Sequence, residues 1–173
     1  EAEKIREICF KCGAREVKTA QNNEERDELW KARRAALPAL VRMKPTTILE
    51  DATVPRSRIP DMIKAVRQIS EKHGITIGTF GHAGDGNLHP TILTDINDAE
   101  EMKRVYKAID EIFSEALKLG GTLSGEHGIG MSKARYMEWE FGKSGIELMR
   151  KVKNALDPDN ILNPGKIFVQ DEK

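Results

Sequence analysis

The fold depends on residues 75–93, which read ITIGTFGHAGDGNLHPTIL. Two extended runs flank the pair Asp85-Gly86. An Asp-Gly pair in this setting is a strong signal for a β-hairpin, because both residues of its turn need a positive φ. We therefore predict two paired antiparallel strands over residues 75–82 and 88–93, joined by a two-residue turn.

This hairpin would bring together two of the four histidines in the chain. If Asp85 and Gly86 form the turn, His82 lies directly opposite His89 on one sheet face, with Cβ atoms about 5 Å apart. A different loop would shift this register. Two imidazoles so placed can share one divalent metal ion, and the alternative is a pair of structural histidines. Asp85 is a further candidate ligand, although a carboxylate in a turn more often bonds its own backbone.

A second glycine-rich motif, SGEHGIG at residues 124–130, places a carboxylate beside an imidazole. Glu126 is a candidate metal ligand, and His127 is a candidate general base, because imidazoles titrate near neutral pH. The alternative is a tight turn in which both side chains are merely exposed. Together with His82 and His89, Glu126 would complete a His-His-Glu site with one position left for a substrate.

Other common glycine and histidine motifs are absent from the sequence. Residues 81–86 and 125–130 both read G-x-x-G-x-G, which is the wrong order for a dinucleotide fingerprint, and no P-loop lysine follows either of them. No H-E-x-x-H occurs, so the chain is not expected to be a zincin peptidase.

The two cysteines, Cys9 and Cys12, form a CxxC. Together with Ile5 and Ile8 they occupy one stripe of a predicted helix. Because no second cysteine pair could complete a zinc site, we predict that the thiols are buried as small apolar groups. A redox or metal pair is the weaker alternative.

The rest of the chain alternates helical and extended patterns. Asn22 or Asn23 can cap a helix that ends before Pro38. The predicted helices cover residues 1–12, 23–36, 57–73, 98–119, 132–141 and 145–156, and the further strands cover residues 16–20 and 46–54. In the longest helix the inward face is predicted to comprise Met102, Val105, Tyr106, Ile109, Phe113 and Ala116. This pattern predicts an α+β fold, with helices on one face of a mostly antiparallel sheet.

Composition sets the broad class of protein. The chain has 173 residues, enough for one well-cored domain, with 39% hydrophobic and 32% charged residues. Its 28 basic and 28 acidic residues balance, so we expect no binding to nucleic acid. No apolar run approaches the roughly 20 residues of a membrane span. Because the chain opens inside a predicted helix and has no signal core, we expect a fragment of a longer protein.

Five motifs together resemble one family. They are GHAGDGNLHP (81–90), SGEHGIG (124–130), LDPDNILNPGKI (156–167), LWKARRAALPAL (29–40) and EDATVPRSRIPDM (50–62). In their order along the chain they are similar to the C-terminal domain of FAD-linked oxidases, in the glycolate oxidase and D-lactate dehydrogenase branch of the vanillyl-alcohol-oxidase superfamily. The resemblance implies a ferredoxin-like cap domain over residues 1–173, without the N-terminal FAD-binding domain.

The resemblance also implies roles for individual residues. His82, His89 and Glu126 would bind zinc, manganese or iron, and His127 would take the proton of the substrate hydroxyl while hydride leaves for the flavin. Arg33 would clamp the substrate carboxylate through its guanidinium fork.

Arg33 has a plainer interpretation as a solvated helix residue, and the neighbouring Arg34 leaves the choice open. The resemblance further implies that Asn163 approaches the flavin ring, with Lys166 as a weaker candidate. Relatives that act on larger diacids carry a lysine near the position of Leu49, so the leucine here favours a small monocarboxylate.

We therefore expect the substrate part of a FAD-dependent 2-hydroxy-acid dehydrogenase acting on glycolate or D-lactate, inactive without its flavin domain. Electron-transfer subunits are expected partners, and the expected location is cytoplasmic, peripheral to the membrane through those partners. Two alternatives remain. One is a stand-alone metal-dependent hydrolase or lyase, and the other is a non-catalytic assembly domain of a flavoprotein complex.

Overall fold

The computed structural model describes residues 1–168, and the chain divides into two compact units, Glu1–Met43 and Lys44–Lys173. The first unit contains two helices, α1 (Ala2–Lys11) and α2 (Asn23–Val41). Asn22 caps α2, because its side chain accepts a hydrogen bond of 2.8 Å from the backbone N–H of Glu25.

The predicted end of α2 was wrong, since the helix continues through Pro38 to Val41. Proline removes one helical hydrogen bond, but on an exposed stretch water can satisfy the freed carbonyl. The strand predicted over residues 16–20 is also absent, and no described strand pairs with that stretch. A strand needs a neighbour for its backbone groups, which local propensity cannot supply.

The predicted burial of the cysteine stripe was wrong as well. No residue of α1 is buried, Ile5 and Ile8 are exposed, and Cys12 is exposed while Cys9 is partly covered. Both cysteines are free thiols. Periodicity indicated an apolar face correctly, but it could not indicate what covers that face.

The second unit is built on an antiparallel sheet of four strands. They are β1 (Thr46–Leu49), β2 (Ala52–Thr53), β3 (Thr76–His82) and β4 (Asn87–Thr94). β4 is central, with β3 along one side and with β1 and β2 in succession along the other. The single strand predicted over residues 46–54 is therefore two strands, separated by Glu50 and Asp51.

Three α-helices are described in this unit, namely α3 (Ile59–His73), α4 (Ala99–Lys118) and α5 (Met137–Leu156). Gly74 ends α3 in the left-handed conformation at φ 61, as its position in the sequence predicts. Asp98 caps α4 by accepting a 2.9 Å hydrogen bond from the N–H of Glu101. α5 contains a non-helical residue, Gly142, which marks the boundary between the two helices predicted there.

The core lies between one face of the sheet and the helices α3 and α4. Its fully buried members include Met62, Ile92, Val105, Ile112 and Phe113, and each contributes about 1.5–3 kcal/mol by burial. Tyr106, predicted to face inward, is 51% exposed. Apart from that residue, the predicted inward face of α4 is buried, and the predicted α+β class is confirmed.

The opposite face of the sheet carries the polar residues. Because side chains alternate along a strand, Leu88 and Ile92 of β4 enter the core, whereas Asn87, His89 and Thr91 point away from it. All three are nevertheless buried. This second face is where the two glycine-rich motifs of the sequence meet.

Candidate functional site

The hairpin has a longer loop than the sequence predicted. His82 pairs with Asn87 and Phe80 pairs with His89, so residues 83–86 form a four-residue loop rather than a two-residue turn. The backbone N–H groups of Asp85 and Gly86 both donate to the carbonyl of His82 at 3.0 Å. The predicted register was therefore wrong by two residues.

A shift of two residues leaves both histidines on the same sheet face, because side chains alternate with a period of two. The rings of His82 and His89 are edge-on, with centroids 5.3 Å apart. The loop conformation depends on tertiary packing, since Val54 N–H donates to the Gly86 carbonyl at 3.0 Å. Gly86 has φ +79, and a Cβ there would lie 2.0 Å from the Val54 oxygen.

The carboxylate of Glu126 meets both hairpin imidazoles. Its Oε1 lies 3.0 Å from His89 Nε2 and 3.4 Å from His82 Nε2, and the three ligand atoms all lie within 4.8 Å of one another. Divalent ions bound tetrahedrally at about 2.0–2.2 Å keep their ligands roughly 3.3–3.5 Å apart. The donor set and its compactness are therefore compatible with one divalent metal ion.

The buried environment of His89 also favours metal binding. Its side chain is only 5% exposed, whereas His82 and Glu126 are about half exposed. Burial, helped by the neighbouring His127, lowers the pKa of His89 below its usual value. The neutral form, which offers a ring lone pair to a metal, is favoured as a result.

His127 lies beside this ligand set and not within it. Its ring is stacked on that of His89, with centroids 5.0 Å apart and an interplanar angle of 9°. Its side chain is exposed, so a small molecule can reach it. The candidate general base thus lies next to the three candidate ligands.

Asp51 is the residue of this site that sequence reasoning missed. It is fully buried, and its Oδ2 accepts hydrogen bonds from Ser124 Oγ and from the backbone N–H groups of residues 125–127, at 2.6–3.1 Å. Burial alone would raise the pKa of this carboxyl, but the hydrogen bonds from Ser124 and the amides outweigh it and hold the pKa at about 2. The available signal was an acidic pair, Glu50-Asp51, inside an extended apolar stretch.

A buried lysine completes the support of the loop. Lys133 Nζ donates to the backbone carbonyls of Asp51 and Leu123, at 3.0 and 2.9 Å, and lies 3.7 Å from Asp51 Oδ2. Burial lowers the pKa of this amine, and the carboxylates of Asp51 and Glu50 act against that effect. The lysine therefore links the β1–β2 connection to the motif that carries Glu126.

Gly125 shows why the second motif is rich in glycine. A Cβ at this position would lie 2.3 Å from Thr53 Oγ1 and 2.7 Å from Asn87 Cγ. These two residues are themselves joined by a 3.0 Å hydrogen bond. The loop can approach β2 and β4 this closely only without a side chain.

Residues 1–167 match the family of FAD linked oxidases, C-terminal domain. The chain belongs to this family. The FAD-linked oxidase fold expected from the five motifs is confirmed by that match.

Individual relatives agree with the family. The chain is 58% identical over 171 residues to glycolate oxidase subunit GlcD of Bacillus subtilis, covering 99% of this chain and 36% of that protein. It is 37% identical to GlcD of Escherichia coli K12, with 96% of this chain and 33% of that protein covered. A probable mitochondrial D-lactate dehydrogenase of Danio rerio is 38% identical, with 94% and 33% covered. The chain thus spans about one third of the length of these relatives.

A solved oxidase shares the fold at low identity. The 4-ethylphenol oxidase from Gulosibacter chungangensis, in its isoeugenol complex, superimposes with a TM-score of 0.54 at 20% identity, over 88% of this chain and 32% of that one. This likeness supports the fold alone.

The remaining candidates of this FAD-linked oxidase domain belong to other segments of the chain. Arg33 is half-buried on α2, in the first unit. Asn163 and Lys166 line an open cavity of about 560 Å³ at the C-terminal end of α5, together with apolar side chains such as Leu148 and Leu156. The roles of all three residues stay predictions. Among residues 1–168, no helix combines the length and apolarity needed to cross a membrane.

Proposed function

We propose that this chain is the substrate-binding part of a FAD-dependent dehydrogenase that oxidises a small 2-hydroxy acid, glycolate or D-lactate, to the 2-oxo acid. The observation that carries the proposal is the convergence of Glu126 on His82 and His89, at 3.4 and 3.0 Å. Membership of the family, and the likeness to glycolate oxidase subunits and D-lactate dehydrogenases, support the substrate class.

We assign His82, His89 and Glu126 as the ligands of one divalent ion, zinc, manganese or iron. Bound there, such an ion would polarise the hydroxyl and carboxylate oxygens of the substrate and make the hydroxyl more acidic. Three protein ligands leave a position open for the substrate. The buried, neutral His89 anchors the set, and the exposed His82 and Glu126 border the opening.

His127 is the proposed base for the hydroxyl proton. Its exposed ring lies against His89, so a hydroxyl held at the ligand set lies within reach of an imidazole nitrogen. A base has to come within about 3 Å of the oxygen whose proton it accepts. The backbone N–H of His127 is fixed by Asp51 at 2.9 Å, which limits the movement of the ring.

FAD would supply the acceptor for the hydride that leaves the α-carbon of the substrate. We propose that residues 1–173 form the substrate domain and that an N-terminal domain of the full-length protein holds most of the cofactor. Asn163 is assigned to the side facing the flavin, with Lys166 as a weaker candidate. Electron-transfer subunits would then reoxidise the flavin.

The size of the substrate is assigned from two positions. Arg33 is proposed to clamp the single carboxylate of the substrate. Leu49 is partly exposed at the end of β1 and offers no charge for a second carboxylate. A small monocarboxylate such as glycolate or lactate therefore fits better than a diacid.

Metal binding tests the first step of this proposal. The wild-type chain, His82→Ala and the control His73→Ala would be loaded with Zn²⁺ or Mn²⁺, dialysed, and measured by elemental mass spectrometry. His73 contacts Glu111 of α4 and is not one of the proposed ligands. His73→Ala is therefore a control that also removes one imidazole but leaves the ligand set intact. We expect about one equivalent in the wild type and in His73→Ala.

For His82→Ala we expect affinity to fall by at least about 100-fold, because one of three ligands is lost. The exposed position of His82 makes misfolding an unsuitable explanation for that loss. Equal metal content in His82→Ala and wild type, or no metal in either, would overturn the proposed ligand set.

A further inference from the structure

We infer that Asp51 is a positioning residue that sets both the loop carrying Glu126 and His127 and the orientation of His89. The inference rests on the proposed function, since it assigns to a fourth residue the geometry of the proposed ligands and base. It concerns a side chain that reaches neither the solvent nor a substrate, because Asp51 is fully buried.

One oxygen of Asp51 organises the loop. Three consecutive backbone N–H groups, those of Gly125, Glu126 and His127, point at Oδ2 from 2.9, 3.1 and 2.9 Å. Successive amides that converge on one anion form a concave nest around it, so the backbone conformation is fixed by the charge it surrounds. Glu126 and His127 project from that fixed backbone.

Ser124 extends the hydrogen-bond network around Asp51 Oδ2 to residues 124 and 128. Its hydroxyl donates to Asp51 Oδ2 at 2.6 Å and accepts from the N–H of Gly128 at 2.8 Å. The carboxylate therefore determines the path of residues 124–128 as a whole. Bonds to a buried charged acceptor are stronger than those between neutral groups, which suits a loop that contains three glycines in seven residues.

The second carboxylate oxygen of Asp51, Oδ1, takes no part in the hydrogen bonds to the loop. Oδ1 is buried and has no hydrogen-bond partner among the described residues, and the same holds for His89 Nδ1. A carboxylate oxygen of Asp51 and ring nitrogens of His89 and His127 lie within 4.8 Å of one another. Nδ1 is the nitrogen that His89 does not turn towards Glu126, because Nε2 occupies that side.

Both atoms are buried without a partner, and ligand atoms of Asp51 and His89 lie within 4.8 Å of each other, so one bridging water would satisfy the acceptor and a ring N–H together. A proton kept on Nδ1 places the lone pair on Nε2, the atom directed at Glu126. Metal-binding histidines are held in this way by an outer carboxylate, which fixes the tautomer and the ring plane. Asp51 would thereby orient the His89 ring and also hold the loop of residues 124–128.

A second metal ion held by Asp51, His89 and His127 explains these atoms less well. The lone pair of an imidazole lies in the plane of its ring, and the two rings are stacked almost parallel, at 9°. Lone pairs in parallel stacked planes do not converge on one ion. The group is therefore better described as support for the first ligand set.

The test compares Asp51→Asn with Glu50→Gln in the 173-residue chain. Each variant replaces one buried carboxyl by its amide at adjacent positions between β1 and β2, so the pair is matched in charge and location. Zn²⁺ affinity would be measured by calorimetry, and ¹⁵N NMR would give the His89 tautomer and the exchange rates of the Glu126 and His127 amides.

For Asp51→Asn we expect Zn²⁺ affinity to fall by about 10- to 100-fold, the usual effect of losing an outer partner of a metal ligand. We also expect His89 to lose its preference for the Nδ1–H tautomer, and the two amides to exchange faster. Glu50→Gln should match the wild type in all three measurements. Wild-type affinity, tautomer and exchange in Asp51→Asn would overturn the inference.

Two further outcomes stay informative. If Asp51→Asn does not fold, Ser124→Ala removes one bond to the carboxylate, and faster exchange at Glu126 and His127 is the result that supports the inference. If the wild-type chain binds no Zn²⁺, the proposed ligand set fails, whereas the exchange rates of the Glu126 and His127 amides in the metal-free chain still decide whether Asp51 fixes the loop.

Discussion

The imidazole of His127 lies stacked on that of His89, with the ring centroids 5.0 Å apart and the planes at 9° to each other. One ring is buried and the other is exposed. In the proposed mechanism this contact separates two tasks, since the buried ring would bind the metal ion and the exposed ring would exchange protons with a bound molecule.

His127→Asn should separate these two tasks. In the full-length flavoprotein we expect kcat for glycolate or D-lactate to fall by about 10²- to 10⁴-fold, because the proton acceptor is lost. Metal content should stay at the wild-type level, since His127 lies outside the proposed ligand set. Steady-state kinetics and elemental analysis of the same preparation check both points. Full activity in this variant would instead favour a non-catalytic assembly role.

Gly125→Ala should disturb the site without changing any charged group. The new Cβ would lie 2.3 Å from Thr53 Oγ1, so the loop has to move, and we expect a loss of about 1–3 kcal/mol in the free energy of unfolding. Metal affinity should fall with it. Gly84→Ala is the control, because a Cβ at Gly84 meets nothing within 4 Å. Similar denaturation curves for both variants would contradict the packing described at Gly125.

The core of the second unit gives a prediction for stability alone. Phe113→Ala should lower the free energy of unfolding by about 3–5 kcal/mol, because a fully buried ring leaves a cavity. Tyr106→Ala, on the same helix, should cost less than about 1 kcal/mol, since that ring is half exposed. Urea denaturation followed by circular dichroism measures both values, and equal losses would count against the orientation of α4.

Glu101 predicts a dependence of stability on pH. The backbone N–H of Asp95 donates to this carboxylate, and that bond holds the pKa of Glu101 below its usual value of 4.5. The stabilisation is therefore complete above about pH 4.5 and is lost as the pH falls through the lower folded-state value. Glu101→Gln should cost about 1 kcal/mol at pH 7 and less at pH 3.

Urea denaturation at the two pH values tests this dependence. Glu100→Gln is the matched control, because Glu100 is an exposed neighbour that pairs with Lys103 on the surface of the same helix. We expect that control to lie within about 0.5 kcal/mol of the wild type at both pH values. A cost for Glu101→Gln that does not change with pH would contradict the assignment of the lowered pKa.

The hairpin shows how far local sequence signals reach. The two extended runs on either side of Asp85-Gly86 predicted the two strands, and the predicted common face of His82 and His89 is correct despite an error of two residues in register. The loop length was not predictable, because it depends on the bond between Val54 and Gly86, which lie 32 positions apart. An Asp-Gly pair indicates a turn, but the segment packed against it selects the turn.

The burial and the partners of Asp51 could not be predicted from local sequence signals. Its neighbours in sequence belong to short strands, and its partners are Ser124 and the three residues that follow, more than 70 positions away. The sequence around a single acidic residue in an extended stretch does not predict that its carboxylate is buried. In the same way, the stripe containing Cys9 and Cys12 predicted a helix but not its exposure, because exposure depends on what packs against the helix.

The sequence by itself determined the α+β class, the two hairpin strands and most of the helices, because hydrophobic periodicity and capping act over a few residues. It also singled out His82, His89, Glu126 and His127 as candidate site residues, through two short motifs. Only the tertiary structure decided the register of the hairpin, the stacking of His127 on His89 and the burial of Asp51. Those features depend on packing and hydrogen bonds between segments that are distant in sequence. A local sequence pattern contains no information about such contacts.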